Sequence, residues 1–167
     1  MTTTWTIAID WDRNDNYSDT YDDVTSRVMS AKWFLGIRQI YKEDADNSTL
    51  ELVLSNTDKR YSPENTSSPL WDGSANRSKV QPFRPVRIQS NDGTTTRTHW
   101  VGWLETIQPA VGRYGERLVQ ITATGPLQFF KAAETRLELQ ENKRTDEIIA
   151  ELIKEVVIPP ALSRAQP

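Results

Sequence analysis

Three stretches near the middle of the chain alternate apolar and polar residues: Phe83–Gln89, Thr96–Ile107 and Leu118–Thr124. A period of two sends successive side chains to opposite faces of a pleated strand. Between the first two lies Asn91-Asp92-Gly93. Its short side chains bond their own backbone and its glycine accepts a positive φ, the strongest local signal for a hairpin. A second turn is expected over Pro109–Gly115. Strands joined this closely make an antiparallel meander, and a chain containing one is committed to a sheet. Gly102 inside the second strand predicts a bulge or a close backbone approach. Pro82 and Pro85 cannot donate a ladder hydrogen bond, so the first strand starts at an edge.

The same periodicity recurs elsewhere. Residues 4–10 place Trp5, Ile7 and Ile9 on one face. Thr49–Ser55 places Leu50, Leu52 and Leu54 on one face. Val28–Leu35 reads as a strand with Met29, Ala31, Trp33 and Leu35 together; a short amphipathic helix is the competing reading. Thr135–Leu139 is short and alternating. Residues 38–48 read as a polar loop, and Asn56-Thr57-Asp58 as a turn. Tyr61–Lys79 is a long polar connection, of the kind that is often functional, pinned by Leu70 and Trp71. Gly125-Pro126 breaks the sheet before a single helical turn, Leu127–Ala133, that carries Phe129 and Phe130. Thr145 is the expected N-cap of a helix over Asp146–Val157, ended by Pro159-Pro160. Its Ile148, Ile149, Leu152, Ile153, Val156 and Val157 fall on one stripe. The expected architecture is mostly β: an antiparallel barrel or sandwich of six or seven strands over residues 1–140. Residues 141–167 hold the helix and a tail, which either close the barrel or open a second domain.

Several chemistries are excluded by residue type. The 167 residues include no cysteine, so disulfides, thiolate metal sites and a cysteine nucleophile are out. His99 is the sole histidine. It lies in an expected strand with no strained G-x-S-x-G turn nearby, and reads as a packing or surface residue. Gly112-Arg113-Tyr114-Gly115 lies between strands and reads as a turn, not a phosphate cradle. No apolar run approaches the about 20 residues of a membrane span, and the first residues lack the character of a secretory signal. A soluble chain made in the cytoplasm is the expectation. A net charge of −3 argues against coating nucleic acid.

That charge is local. Asp10–Asp23 contains six of the 23 acidic residues and one of the 20 basic ones. Calcium takes six to eight hard oxygens, and Asp10, Asp12 and Asn14 alternate as in loops that hold it. Asn16, Asp19, Asp22 and Asp23 complete the candidate set. Asp15 stands where an EF-hand loop has glycine and Tyr21 where it has glutamate, so this is no EF-hand. The other reading is a solvated turn whose side chains cap their own backbone. Six tryptophans favour binding or assembly. Tyr61, Trp71, Trp100, Trp103 and Tyr114 are candidates for a sugar-stacking platform, or else for core and subunit-interface packing.

The run from Leu50 through Asn56, Asp58, Arg60, Tyr61, Ser62, Pro63 and Asn65, then Ser68-Pro69-Leu70-Trp71, then Arg84-Pro85-Val86-Arg87-Ile88, resembles the N-terminal part of minor tail and baseplate hub proteins of long-tailed bacteriophages and prophages. Gly102–Pro109 and Thr145–Ile153 continue the resemblance, which covers roughly residues 5–157. Phe83 departs from the pattern, which has glycine there. The resemblance implies a tail-tube-like β-barrel and a non-enzymatic structural protein of the virion. It also implies assembly with other tail subunits as a ring or hub at the tail tip. On that reading the Asp10–Asp23 and Tyr61–Lys79 loops are subunit contacts, with Tyr61, Pro63, Leu70, Trp71, Trp100 and Trp103 as interface residues. The alternative is a stand-alone carbohydrate-binding β-domain with a calcium-ordered loop.

Overall fold

A computed structural model describes residues 2–36, 46–111, 115–133 and 143–156. Eight strands occur among them: β1 (Thr4–Ile9), β2 (Val28–Phe34), β3 (Thr49–Ser55), β4 (Trp71–Asp72), β5 (Arg77–Ser78), β6 (Pro85–Asn91), β7 (Thr96–Val111) and β8 (Arg117–Thr124). Two helices follow, α1 (Leu127–Ala132) and α2 (Thr145–Glu155). Six strands form one antiparallel sheet in the order β1-β6-β7-β8-β3-β2, and β4 and β5 pair as a small ribbon. The fold is therefore mostly β, a single curled sheet and not two packed ones. None of the described helices is long and apolar enough to cross a membrane.

Alternation puts Leu50, Leu52 and Leu54 of β3 inside with Val119, Ile121 and Ala123 of β8, and Ile7 and Ile9 of β1 with Val86 and Ile88 of β6. Fully burying one such side chain contributes about 1.5–3 kcal/mol. The sheet curls into a half-barrel, and the β1 edge is covered by the segment that precedes β2. Ile9 donates to the Asp22 carbonyl at 2.9 Å, and Val24 donates to the Ile7 carbonyl at 3.0 Å. The segment leading into β2 thus runs antiparallel along β1, a pairing marked by the Ala8–Asp23 bridge.

Bulges make the curvature. β7 pairs with β6 through Trp103 and with β8 from Trp103 onward. His99 and Glu105 are the extra residues that bend it between the two partners. Gly102 sits at the crossing, where a Cβ would collide with the Thr124 carbonyl oxygen and the Trp100 ring. The expected close approach is therefore real.

Four expectations need correction. In β2 the bulge at Met29 brings Val28, not Met29, to the inner face, and leaves Met29 exposed. β7 runs through Pro109 to Val111, where the sequence predicts a turn. Pro109 is tolerated because β6 no longer pairs with that part of the strand. β6 begins at Pro85, since Phe83 has a φ of 61°. The N-cap of α2 is Arg144, whose N–H donates to the Glu147 carboxylate at 3.1 Å, and Thr145 is the first helical residue. Thr135–Leu139 lies outside the described residues, as does most of the 38–48 loop.

Candidate functional site

The acidic stretch caps one end of the curled sheet. β1 ends at Ile9, and Asp10 turns inward and is fully buried. Arg13 and Asp15 adopt left-handed φ values of 58° and 61°. Alternating handedness of this kind turns successive N–H groups toward one point and makes an anion nest. Here the anion is the chain's own. The Asp10 carboxylate accepts from the N–H groups of Asp12 at 3.1 Å, Asn14 at 3.3 Å and Asp15 at 2.9 Å.

Asp22, also buried, closes the far end of the loop. It accepts the Asp19 N–H at 3.1 Å and, more weakly, the Trp11 N–H at 3.5 Å. Burial pushes its carboxyl up to about 6, against the pull of those two hydrogen bonds, and the charges of Asp10 and Asp19 push the same way as burial. Asp19 takes the side-chain amides of Asn14 and Asn16 at 2.5 and 2.8 Å, and Asp23 accepts the Thr25 N–H at 2.9 Å. Trp11 plugs the loop from below. Its indole donates to the Tyr21 carbonyl at 3.2 Å and its ring lies 5.8 Å from that of Tyr61.

The expected calcium ligands Asp10, Asp12, Asn14, Asn16, Asp19, Asp22 and Asp23 thus share a loop but not a centre. Their oxygens are largely spent on the loop's own N–H groups. Among the described residues no group of three or more His, Cys, Asp or Glu side chains is placed to hold a metal ion. Cations do reach the loop, as side chains. The Lys79 ammonium lies 2.5 Å from Asp12, and Arg13 donates to the Pro82 carbonyl at 2.9 Å. Arg84, buried, donates through Nε to the Lys79 carbonyl at 2.8 Å. Desolvation, with the charge of Arg13, lowers its pKa to about 10, against the opposing pull of Asp10 and Asp12. Arg87 stacks on Tyr17 at 4.1 Å and Arg60 on Tyr21 at 4.5 Å. Burial raises the hydroxyls of both Tyr17 and Tyr61 to about 12.

The second loop packs under the first as a succession of tight turns. Asn56 is buried; its side-chain oxygen accepts the Tyr61 N–H at 2.9 Å and its amide donates to Ser62 Oγ at 3.2 Å. Asn65 donates to the Lys59 carbonyl at 3.0 Å and Ser68 Oγ to the Arg60 carbonyl at 2.7 Å. Asp58 forms a fork with Arg27 at 3.0 and 2.8 Å. Burial opposes ionisation of Asp58, but its hydrogen bonds from Arg27 and Arg60 prevail and hold its carboxyl below the usual range.

Of the expected interface residues, Tyr61, Leu70 and Trp100 are not available to a partner: all three are buried in the chain's own core. Pro63 and Trp71 are half-buried, and Trp103 meets Phe129 edge-on at 5.1 Å. Tyr114 lies outside the described residues. The large apolar side chains that are exposed include Trp5, Met29, Trp33, Leu35 and Phe83, none of them among the expected interface residues. Trp5 and Trp33 sit on expected inner faces, and their exposure comes from lying at strand ends, which periodicity does not report. No family model matches the chain, and no curated protein matches it.

Proposed function

We propose that this chain is a structural, non-catalytic subunit of a phage or prophage tail, assembling with copies of itself and other tail or baseplate subunits at the tail tip. It would be made in the host cytoplasm and end in the virion. The observation that carries this reading is where the unused apolar surface lies. β2 is the terminal strand of the six and exposes Met29, with Leu35 exposed just beyond it. α2 has no buried residue, and Ile149 and Ile153 on its apolar stripe are about half exposed. A terminal strand and an apolar helix face are surfaces that ring subunits cover with neighbours. The motif run that resembles tail proteins supports the same reading. Asn56, Asp58, Ser62, Asn65, Ser68 and Arg84 are each used to hold loop backbone or a neighbouring side chain, which is what a motif that specifies a loop shape requires.

Size-exclusion chromatography with light scattering tests this. The expected result is a trimer or hexamer that Met29→Lys together with Ile153→Glu reduces to monomer with little change in melting temperature, since both side chains are exposed. A wild-type monomer at every concentration, or an oligomer indifferent to both changes, would refute it.

A further inference from the structure

The end of the sheet away from the acidic loop is built from rings. Trp5 lies opposite the buried Ser90 and Trp33 opposite the buried Leu50, registers that place both indoles on the inner face. Deeper positions on that face are closed over by the core. Here the strands end, and Trp5 and Trp33 remain 44% and 37% exposed. Their ring centroids are 5.8 Å apart at an interplanar angle of 45°. The third ring is His99, the extra residue of the β6–β7 bulge. Bulges re-aim side chains, and this one brings His99 Nε2 to 2.6 Å from Ser90 Oγ and its ring to 4.7 Å from that of Trp5. The neighbouring inward registers hold Ile7, Leu50 and Ile88 and carry no charge.

We propose that this aromatic end is a binding site for neutral carbohydrate. The C–H face of a pyranose suits the electron-rich face of an indole, and the Ser90–His99 pair supplies polar atoms for its hydroxyls. The uncharged character of these positions selects against charged ligands. The platform is open, whereas small apolar ligands bind in enclosed clefts. It is also small: two part-exposed indoles supply only a fraction of the about 800 Å² per partner that a stable protein interface buries. This proposal does not depend on the assembly reading, which uses Met29, Leu35 and α2.

The test is tryptophan fluorescence of the full chain titrated with cellohexaose, maltohexaose, hexa-N-acetylchitohexaose and laminarihexaose. At least one is expected to give a saturable shift, weakened at least tenfold by Trp33→Ala, restored in part by Trp33→Phe and unaffected by Trp71→Phe. If Trp33→Ala does not fold, indole N–H chemical shifts of the wild type replace it, with Trp5 and Trp33 moving and Trp11 still. No shift with any of the four sugars overturns the proposal. So does a shift carried by other tryptophans, or an emission change that tracks protein concentration and a doubled mass, which would make a second copy the occupant.

Discussion

Replacing Asp22 with asparagine tests whether the acidic loop is closed by a buried carboxylate under electrostatic load. Asp22 is 1% exposed and its carboxyl is raised from the ordinary 3.8 to about 6. The sign follows from proton counting. Below about 3.8 both the folded and the unfolded chain carry the proton. Between 3.8 and about 6 the unfolded chain has released it while the folded chain keeps it, so stability falls as pH rises. Above about 6 the loss is complete. The gap corresponds to about 3 kcal/mol, or about 6–12 °C in melting temperature for a chain of this size. The asparagine of Asp22→Asn cannot titrate and does not suffer this loss. Its amide forfeits one of the N–H groups of Trp11 or Asp19, a constant offset of about 1–3 kcal/mol.

The readout is therefore the slope and not the level. In urea melts between pH 4.5 and 7.5, the stability of Asp22→Asn relative to wild type should rise by about 2 kcal/mol, the remaining third of the loss falling below pH 4.5. Asp58 and Asp92 are held below the usual range, so the stability they contribute is lost only as pH falls below about 4, outside this window. Parallel pH profiles for the two proteins would refute the reasoning. Repeating the wild-type series in millimolar calcium separates a proton from an ion: because Lys79 and Arg84 already serve the loop, the slope should persist. A slope abolished by calcium would mean that the loop oxygens reorganise around the ion.

Two substitutions test the backbone. Phe83→Gly relieves a left-handed φ of 61° that costs a residue other than glycine about 1 kcal/mol, whereas Phe83→Ala keeps the strain; both lose the ring beside Phe129. The glycine variant should be the more stable of the two by about 1 kcal/mol in denaturant melts, and equality would deny the strain. Gly102→Ala drives a methyl group into the Thr124 carbonyl and the Trp100 ring, so it should cost about 1–3 kcal/mol and broaden the β7 amide signals by NMR. An unaffected melting temperature would show that β7 does not cross at this residue.

The strands were legible because each is a local pattern. Leu50, Leu52 and Leu54 alternate, and Asn91-Asp92-Gly93 can do little but turn, so β3 and the β6–β7 hairpin follow from a few consecutive residues. The bulges were not legible. Nothing local marks Met29, His99 or Glu105 as the residue the ladder skips, because the skip is decided by the partner strand. One skipped residue turned Met29 outward; another aimed His99 at Ser90 and Trp5. The resemblance pattern placed a glycine where the backbone does take a left-handed φ, at Phe83.

The acidic loop shows the same limit in its electrostatics. Counted along the chain, Asp10–Asp23 is a block of negative charge that calls for an outside cation. Counted in space, it meets Lys79 and Arg84 from far along the chain, and stacks on Arg60 and Arg87 through its tyrosines. Its most buried carboxylate, Asp10, is satisfied by backbone N–H groups whose direction depends on left-handed φ values at Arg13 and Asp15, and Asp22 by those of Trp11 and Asp19. A run of like charge in a sequence is a demand for compensation. Whether metal, partner or the chain itself supplies it depends on what the fold brings to the loop, and here the second loop and the start of β6 bring the bases.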